Sequence, residues 1–305
     1  IAYGEKTING YIGVDPAAAS LSSILEDLQQ EGFSVGLVTT VQVSHATPAA
    51  FAAHVPDRNL MNEIALQMLA HSPNVLLGGG EDEFLPPTES GCYSQPGERM
   101  DGRNLIEEAI AWGYTYVCEA GAFGDIEPAT TTHLLGLFGD EGMYRPFTPS
   151  LAAMTEKAIE ILSQDPDGFF LMVKGGQIDW AAHSNDAENV MADTLGLDAA
   201  VAIGLAYAQT NPNTILIVTA DHETGGMSVG LTSSGLPDED GPFSMPDGTP
   251  FYVNWTSTDH TGVDVPTTAY GVYSDQLEGS YENTYFYDVM RFLIGSKVWM
   301  PLVVR

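Results

Sequence analysis

Three short stretches hold the residue types that could do chemistry: Asp179-Trp180-Ala181-Ala182-His183, Asp221-His222-Glu223 and His260-Thr261-Gly262. The first two lie just beyond apolar, strand-like runs at 169–173 and 214–218. Imidazole nitrogen and carboxylate oxygen suit zinc, and a catalytic zinc keeps one position open for water or substrate. Two aspartates and three histidines placed this way are a donor set for a pair of zinc ions, which points to a metallohydrolase. Asp179 and His183 are spaced i, i+4, so a helical turn puts both on one face. Asp221 and His222 are adjacent and would face opposite ways in a continuing strand. At a strand end, where the chain turns, they can address one metal or two neighbouring ones. Each pair alone reads more readily as structure, an acid at a helix start or a polar strand terminus. His260 shifts the balance towards metal.

The elements that must position these groups follow from periodicity and punctuation. Strands are expected over 33–40, 74–77, 114–117, 134–138, 169–173 and 214–219, and helices over 59–70, 104–112, 149–163 and 186–209. Asp15-Pro16 reads as an N-cap with proline in the first turn of a further helix that Gly32 ends. Gly78-Gly79-Gly80 reads as a turn. Strands alternating with helices imply an α/β fold, a mainly parallel doubly wound sheet flanked by helices. In such sheets functional groups lie beyond the carboxyl ends of strands. The stretch 225–264, rich in Gly, Pro, Ser and Asp, reads as a loop and hairpin excursion that returns to deliver His260. No repeat or long linker divides the 305 residues, so a single domain is expected.

Composition narrows the partners. There are 41 acidic residues against 10 basic ones, a formal charge of −31. A phosphate backbone needs Lys and Arg, so nucleic acid is excluded as a stable partner, and anionic membrane surfaces are disfavoured. Acidic residues spread along the chain, with Lys nearly absent, point to adaptation to high salt, where screening removes self-repulsion. No uninterrupted run of about 18 apolar residues occurs, so no membrane span is expected. Cys92 and Cys118 are compatible with one disulfide or with two thiols. Glu81, Asp82 and Glu83 read as solvated surface, and His54, His71 and His133, without partners at ligand spacing, as structural residues.

In longer stretches the resemblance to a family is specific. Thr219-Ala220-Asp221-His222-Glu223-Thr224-Gly225-Gly226 and Ile178-Asp179-Trp180-Ala181-Ala182-His183 are similar to the metal-binding signatures of bacterial alkaline phosphatases. So are His260-Thr261-Gly262, and His45-Ala46-Thr47-Pro48-Ala49 followed by Arg58. The similarity runs in order over nearly the whole chain. It implies zinc-dependent hydrolysis of small phosphate monoesters by a homodimer that is periplasmic or secreted. Asp179, His183 and His260 would hold a first zinc, and Asp221 with His222 a second, beside the nucleophile. Arg58 would take two phosphate oxygens in a bidentate pair that lysine cannot reproduce. Thr47 would belong to a third, magnesium-type site, with His45 close to the phosphate. Trp180 would shape the pocket or simply pack. Phosphodiesterases and sulfatases with two metals are the alternative enzymes, and a phosphate- or metal-binding fragment is the non-catalytic one.

Two departures from the family pattern matter. Where the family has a glutamate on magnesium, this chain has Lys174, and an ammonium cannot ligate a cation. Lys174 is therefore expected near Thr47, its charge in the place of the magnesium. The Asp-Ser-Ala motif with the nucleophilic serine is not found in 1–305, nor is the family's first strand. A sheet lacking that strand is expected to show a gap with unpaired backbone.

Overall fold

In the computed structural model, which describes residues 1–294 and the backbone of 300–304, the chain builds an eight-stranded sheet. The elements run α1 (Ile24–Gln30), β1 (Ser34–Gln42), α2 (Ala46–Ala52), α3 (Met61–Ala70), β2 (Val75–Gly79), α4 (Leu105–Ala111), β3 (Thr115–Val117), α5 (Ala120–Gly124) and β4 (Leu134–Leu137). Then come α6 (Leu151–Leu162), β5 (Phe169–Lys174), α7 (Gln177–His183), α8 (Ala187–Thr210) and β6 (Ile215–Thr219). Short strands follow: β7 (Glu223–Thr224), β8 (Ser228–Gly230), β9 (Asp240–Ser244), β10 (Pro250–Asn254), β11 (His260–Thr261) and β12 (Thr268–Gly271). Helix α9 (Tyr285–Ile294) and β13 (Met300–Val304) complete the described chain.

The main sheet has the order β12-β6-β13-β5-β1-β2-β4-β3. All neighbours pair in parallel except β12, which runs antiparallel to β6 at the edge. Its central strands are continuous apolar runs because both faces are covered. Phe170 and Met172 of β5 join Ile215 and Ile217 of β6 in one core beneath α1–α4 and α9. Phe169, Leu171 and Val173 alternate into a second core with Leu216, beneath α6 and α8. The parallel register Ser34↔Phe169 to Thr39↔Lys174 starts β1 and β5 level, and β1 runs on to Gln42, so the segments after both strands open on one rim.

Four expectations are corrected. The first helix begins at Ile24, not at Asp15. Ser23 and Glu26 form a reciprocal capping box there, while Asp15 accepts from Ala17 and Ala19 in a turn that Ala18 completes at φ 63°. The glycines at 78–80 are not a turn: β2 runs through Gly79, where a Cβ would stand 2.0 Å from the Glu141 carbonyl, and only Gly80 turns, at φ 91°. Glu81, Asp82 and Glu83 are buried, not solvated. Glu81 accepts from the Cys92 and Tyr93 amides and the Tyr116 hydroxyl. Burial and the neighbouring acids push Asp82 up to about 7 and Glu83 up to about 8. The gap expected in the sheet is filled by the chain's own β13, parallel between β5 and β6.

Two open points are resolved by the geometry. Cys92 and Cys118 form a disulfide across 26 residues, closing the loop over Glu81. Although no uninterrupted apolar run occurs, α8 has 24 residues and a window of mean hydropathy 1.4, enough by length and composition to cross a membrane. Its Val190, Leu197, Ala200 and Ala208 pack on the second core, and its buried Asp193 pairs with Arg145 at 2.5 Å.

Candidate active site

Beyond the end of β5 the chain turns through Gly175 and Gly176 into α7, about two turns of helix. Gln177 fixes that turn: its side chain donates to the Thr40 carbonyl at 2.8 Å and to that of Met143 at 2.5 Å. The i, i+4 spacing then sets Asp179 Oδ1 3.4 Å from His183 Nε2. His260 arrives from β11, which pairs antiparallel with β7 through His260↔Thr224. Its Nε2 stands 3.5 Å from Asp179 Oδ1 and 3.1 Å from His183 Nε2. The 225–264 excursion that delivers it is a three-stranded antiparallel sheet, β8-β10-β9, more regular than a hairpin.

The protons on this cluster can be placed. His183 Nδ1 lies 2.5 Å from the Thr258 carbonyl, which only accepts, so Nδ1 carries the proton and Nε2 presents a lone pair. Two imidazole nitrogens and a carboxylate oxygen converging at these distances need a cation or a proton among them. The donor set and the fixed tautomer fit zinc, with Zn–N near 2.0–2.1 Å and tetrahedral edges of about 3.3 Å.

The second cluster stands beyond β6. Asp221 and His222 lie at the strand end, with His222 Nε2 3.5 Å from Asp221 Oδ2. The His222 ring stacks on His260 at 3.5 Å between centroids. Thr224 Oγ1 donates to Asp179 Oδ1 at 2.6 Å and lies 3.2 Å from His222 Nδ1, so it accepts there and leaves His222 Nε2 free to bind. One hydroxyl thus joins the two clusters. Sequence reasoning misses Thr224 and the Thr258 carbonyl. Thr224 stands inside the Thr219–Gly226 signature, but nothing in its residue type marks it as a shared partner.

Lys174 ends β5, 3 % exposed, and its Nζ donates to Thr47 Oγ1 at 2.6 Å and to Asp221 Oδ2 at 2.7 Å. Lys174 and His222 hold the Asp221 carboxyl low against the opposing effect of burial. With an ammonium on one of its two donors, this cluster fits a metal less completely than the first. Thr47 lies in the first turn of α2, and His45 is the residue that caps it. His45 Nε2 accepts from the Arg58 guanidinium at 3.1 Å, and its ring meets Trp180 edge-on. Burial, then Arg58 and Lys174, push His45 down to about 4, so it stays neutral and orients Arg58 without a charge of its own. Arg58, Thr47 and Asp221 line one cavity of about 470 Å³, and Asp221 shares a second, of about 240 Å³, with Asp179 and His222. The candidate residues of the sequence therefore all gather on one rim of the sheet.

Comparison with known proteins agrees with this geometry. Residues 1–241 match the family described as alkaline phosphatase. Alkaline phosphatase 4 of Bacillus subtilis is 33% identical over 350 aligned positions, covering 93% of this chain and 72% of that protein. This chain belongs to the alkaline phosphatase family. The alkaline phosphatase of Escherichia coli is 30% identical, covering 96% of this chain and 72% of its own. Among solved structures, the enzyme of the Antarctic bacterium TAB5 superposes with a TM-score of 0.81 at 29% identity, over 96% of this chain and 81% of that one. A cold-active enzyme from Shewanella gives 0.80 at 28%, over 96% and 83%. A His-to-Asp mutant of the TAB5 enzyme is described with magnesium in its M3 site. Fold and family are thus those of phosphomonoesterases.

Proposed function

We propose that these residues bind small phosphate monoesters for zinc-dependent hydrolysis, with zinc held by Asp179, His183 and His260, and a second, weaker zinc at Asp221 and His222. The observation that carries the reading is the first cluster, three donors with a fixed tautomer, whose Asp179 lines a cavity with Asp221, while Asp221 lines the neighbouring one with Arg58. Zinc there would supply Lewis-acid stabilisation of charge on the phosphoryl group. The protein's own contribution is positional. Arg58 takes two phosphate oxygens, His45 holds the guanidinium in register, and Thr224 keeps the metal-facing nitrogen of His222 unprotonated. Lys174 stands where the family's magnesium charge would be and bonds both Thr47 and Asp221. The nucleophilic serine of the family motif is not in 1–305, so these residues do not supply the covalent step that divides one displacement into two. Lys174 on Asp221 favours one second reading, a chain that binds phosphate and metal with little turnover.

The disulfide accords with a periplasmic or secreted protein, since such bonds persist in oxidising compartments. The charge of −31 accords with a salt-adapted one. A homodimer and a single domain complete the proposal.

Calorimetry with inorganic phosphate tests the site. Binding should require zinc, and Arg58→Lys should weaken it about tenfold, the loss of one bidentate geometry. A chromogenic phosphate monoester at alkaline pH, with zinc in low and high salt, should give at most trace turnover by the 305-residue chain. Phosphate affinity independent of zinc and of Arg58 would count against the site; robust turnover would place the nucleophile within these residues.

A further inference from the structure

On the other core's side of the sheet, Glu26, His54 and His71 bring one ligand atom each to within 4.8 Å of one another. The three come from separate elements: Glu26 from the first turn of α1, His54 from the segment after α2, His71 from the C-cap of α3. His54 Nε2 lies 2.9 Å, and His71 Nε2 3.5 Å, from the same oxygen, Glu26 Oε1. These separations bracket the edge of about 3.3 Å that a tetrahedral zinc with bonds near 2.05 Å imposes.

The side chains of His54 and Glu26 are oriented by partners of their own, and His71 is held at its backbone. His54 Nδ1 lies 2.7 Å from the Gly13 carbonyl, so it carries the proton and aims Nε2 at Glu26. Gly13 must be glycine: at φ 61°, a Cβ would stand 2.1 Å from the Ala53 carbonyl and 2.7 Å from His54 Nδ1. Gln67 grips the His54 backbone at its amide, 2.7 Å, and at its carbonyl, 3.4 Å. Glu26 Oε2 is engaged by the Ser23 amide at 2.7 Å, which leaves Oε1 for the histidines. The His71 carbonyl accepts from Gln29 Nε2 at 2.9 Å. The side chains are 14%, 15% and 29% exposed for Glu26, His54 and His71, so the cluster is reachable from solvent.

We propose that Glu26, His54 and His71 form a structural zinc site that ties α1 to α3 and to the segment leading to Arg58. Two imidazoles and one carboxylate suit zinc better than magnesium or calcium, which take oxygen donors. A protonated His54 paired with Glu26 accounts for the 2.9 Å contact alone. It gives no role to His71, whose Nε2 lies 3.5 Å from the same oxygen. The segment from His54 to Arg58 is held on one side by Val55 pairing with Ile12 and by the Arg58 amide on the Gly10 carbonyl. The zinc would pin its other end.

The test uses the full chain carrying Asp179→Ala and His183→Ala, which disables the first zinc cluster of the active site, with zinc chloride as probe. After dialysis this protein should retain one zinc per chain, and excess zinc should raise its Tm by about 5 °C, the effect of a ligand at roughly 100 times its Kd. Adding His71→Ala should remove that equivalent and abolish the Tm rise; Glu26→Gln, which keeps an acceptor for Ser23, should do the same. His71→Ala spares the His54–Glu26 contact, so an ion pair alone predicts the same zinc content and the same Tm with and without His71. That result, or no zinc retained by the parent, overturns the proposal. Cobalt(II) in place of zinc should give the visible absorption of a tetrahedral centre, and its absence would equally count against the site.

Discussion

Asp179, in the helix that follows β5, and Asp221, in the segment that follows β6, stand beyond two strands of one sheet, and the chain treats them in opposite ways. Asp179 faces two imidazoles and a hydroxyl, and among the described residues no lysine or arginine pairs with it. Asp221 is bonded to an ammonium at 2.7 Å. Both carboxylates are thus compensated, one by groups that can exchange for a metal ion and one by a charge fixed to the backbone. A lysine cannot leave. On the proposed reading, one residue, Lys174 at the end of β5, decides which of the two clusters takes metal more readily.

The largest effect should come from His183→Ala. It removes one of three donors and the ring whose tautomer Thr258 fixes, so zinc affinity at the first cluster should fall by more than about 100-fold, beyond the loss typical of an outer partner. Metal titration checks it, and the Asp221–Lys174 pair should be untouched. If His183→Ala leaves zinc affinity unchanged, the contrast between an open and a closed cluster collapses.

Lys174 comes next. Lys174→Met should open Asp221 to metal and cost about 2 kcal/mol without zinc, less than the roughly 3–5 kcal/mol of a fully buried broken pair because Asp221 is a quarter exposed. Zinc should restore that loss. Lys174→Glu should place two carboxylates by Thr47 and make Tm rise with magnesium by about 5 °C, a response the parent should lack. Denaturant melts with and without each ion separate the cases. A parent strongly stabilised by magnesium would show that Lys174 does not take that ion's place.

The sequence is most legible where one local signal suffices. Continuous apolar runs mark β5 and β6, and i, i+4 spacing puts Asp179 and His183 together. It is least legible where long-range packing decides. The Ser23–Glu26 box displaces the helix start from Asp15 because a reciprocal pair of hydrogen bonds outweighs a proline-led turn. Buried Glu81 looks like surface because its partners, two amides and Tyr116, are brought by a disulfide loop. The meeting of Glu26, His54 and His71 is hidden because each sits on a different element. No spacing rule links positions 26, 54 and 71.

The smallest effect should sharpen the contrast most. Thr224 Oγ1 donates to Asp179 and accepts from His222, so it touches both clusters without belonging to either. Thr224→Val keeps the β-branched shape that suits β7 and removes only the hydroxyl. Asp179 loses one hydrogen bond, and His222 loses the acceptor that holds its proton on Nδ1, so its metal-facing nitrogen is no longer kept free. Zinc affinity should fall about tenfold at the first cluster, the lower end for an outer partner. At the second cluster Lys174 already engages Asp221, so the same substitution should change little in the parent and noticeably more in Lys174→Met. A double-mutant cycle of Thr224→Val with Lys174→Met, read by zinc titration, measures that difference. Equal losses in both backgrounds would mean that the ammonium does not gate the second cluster, and that Asp221 yields to metal despite it.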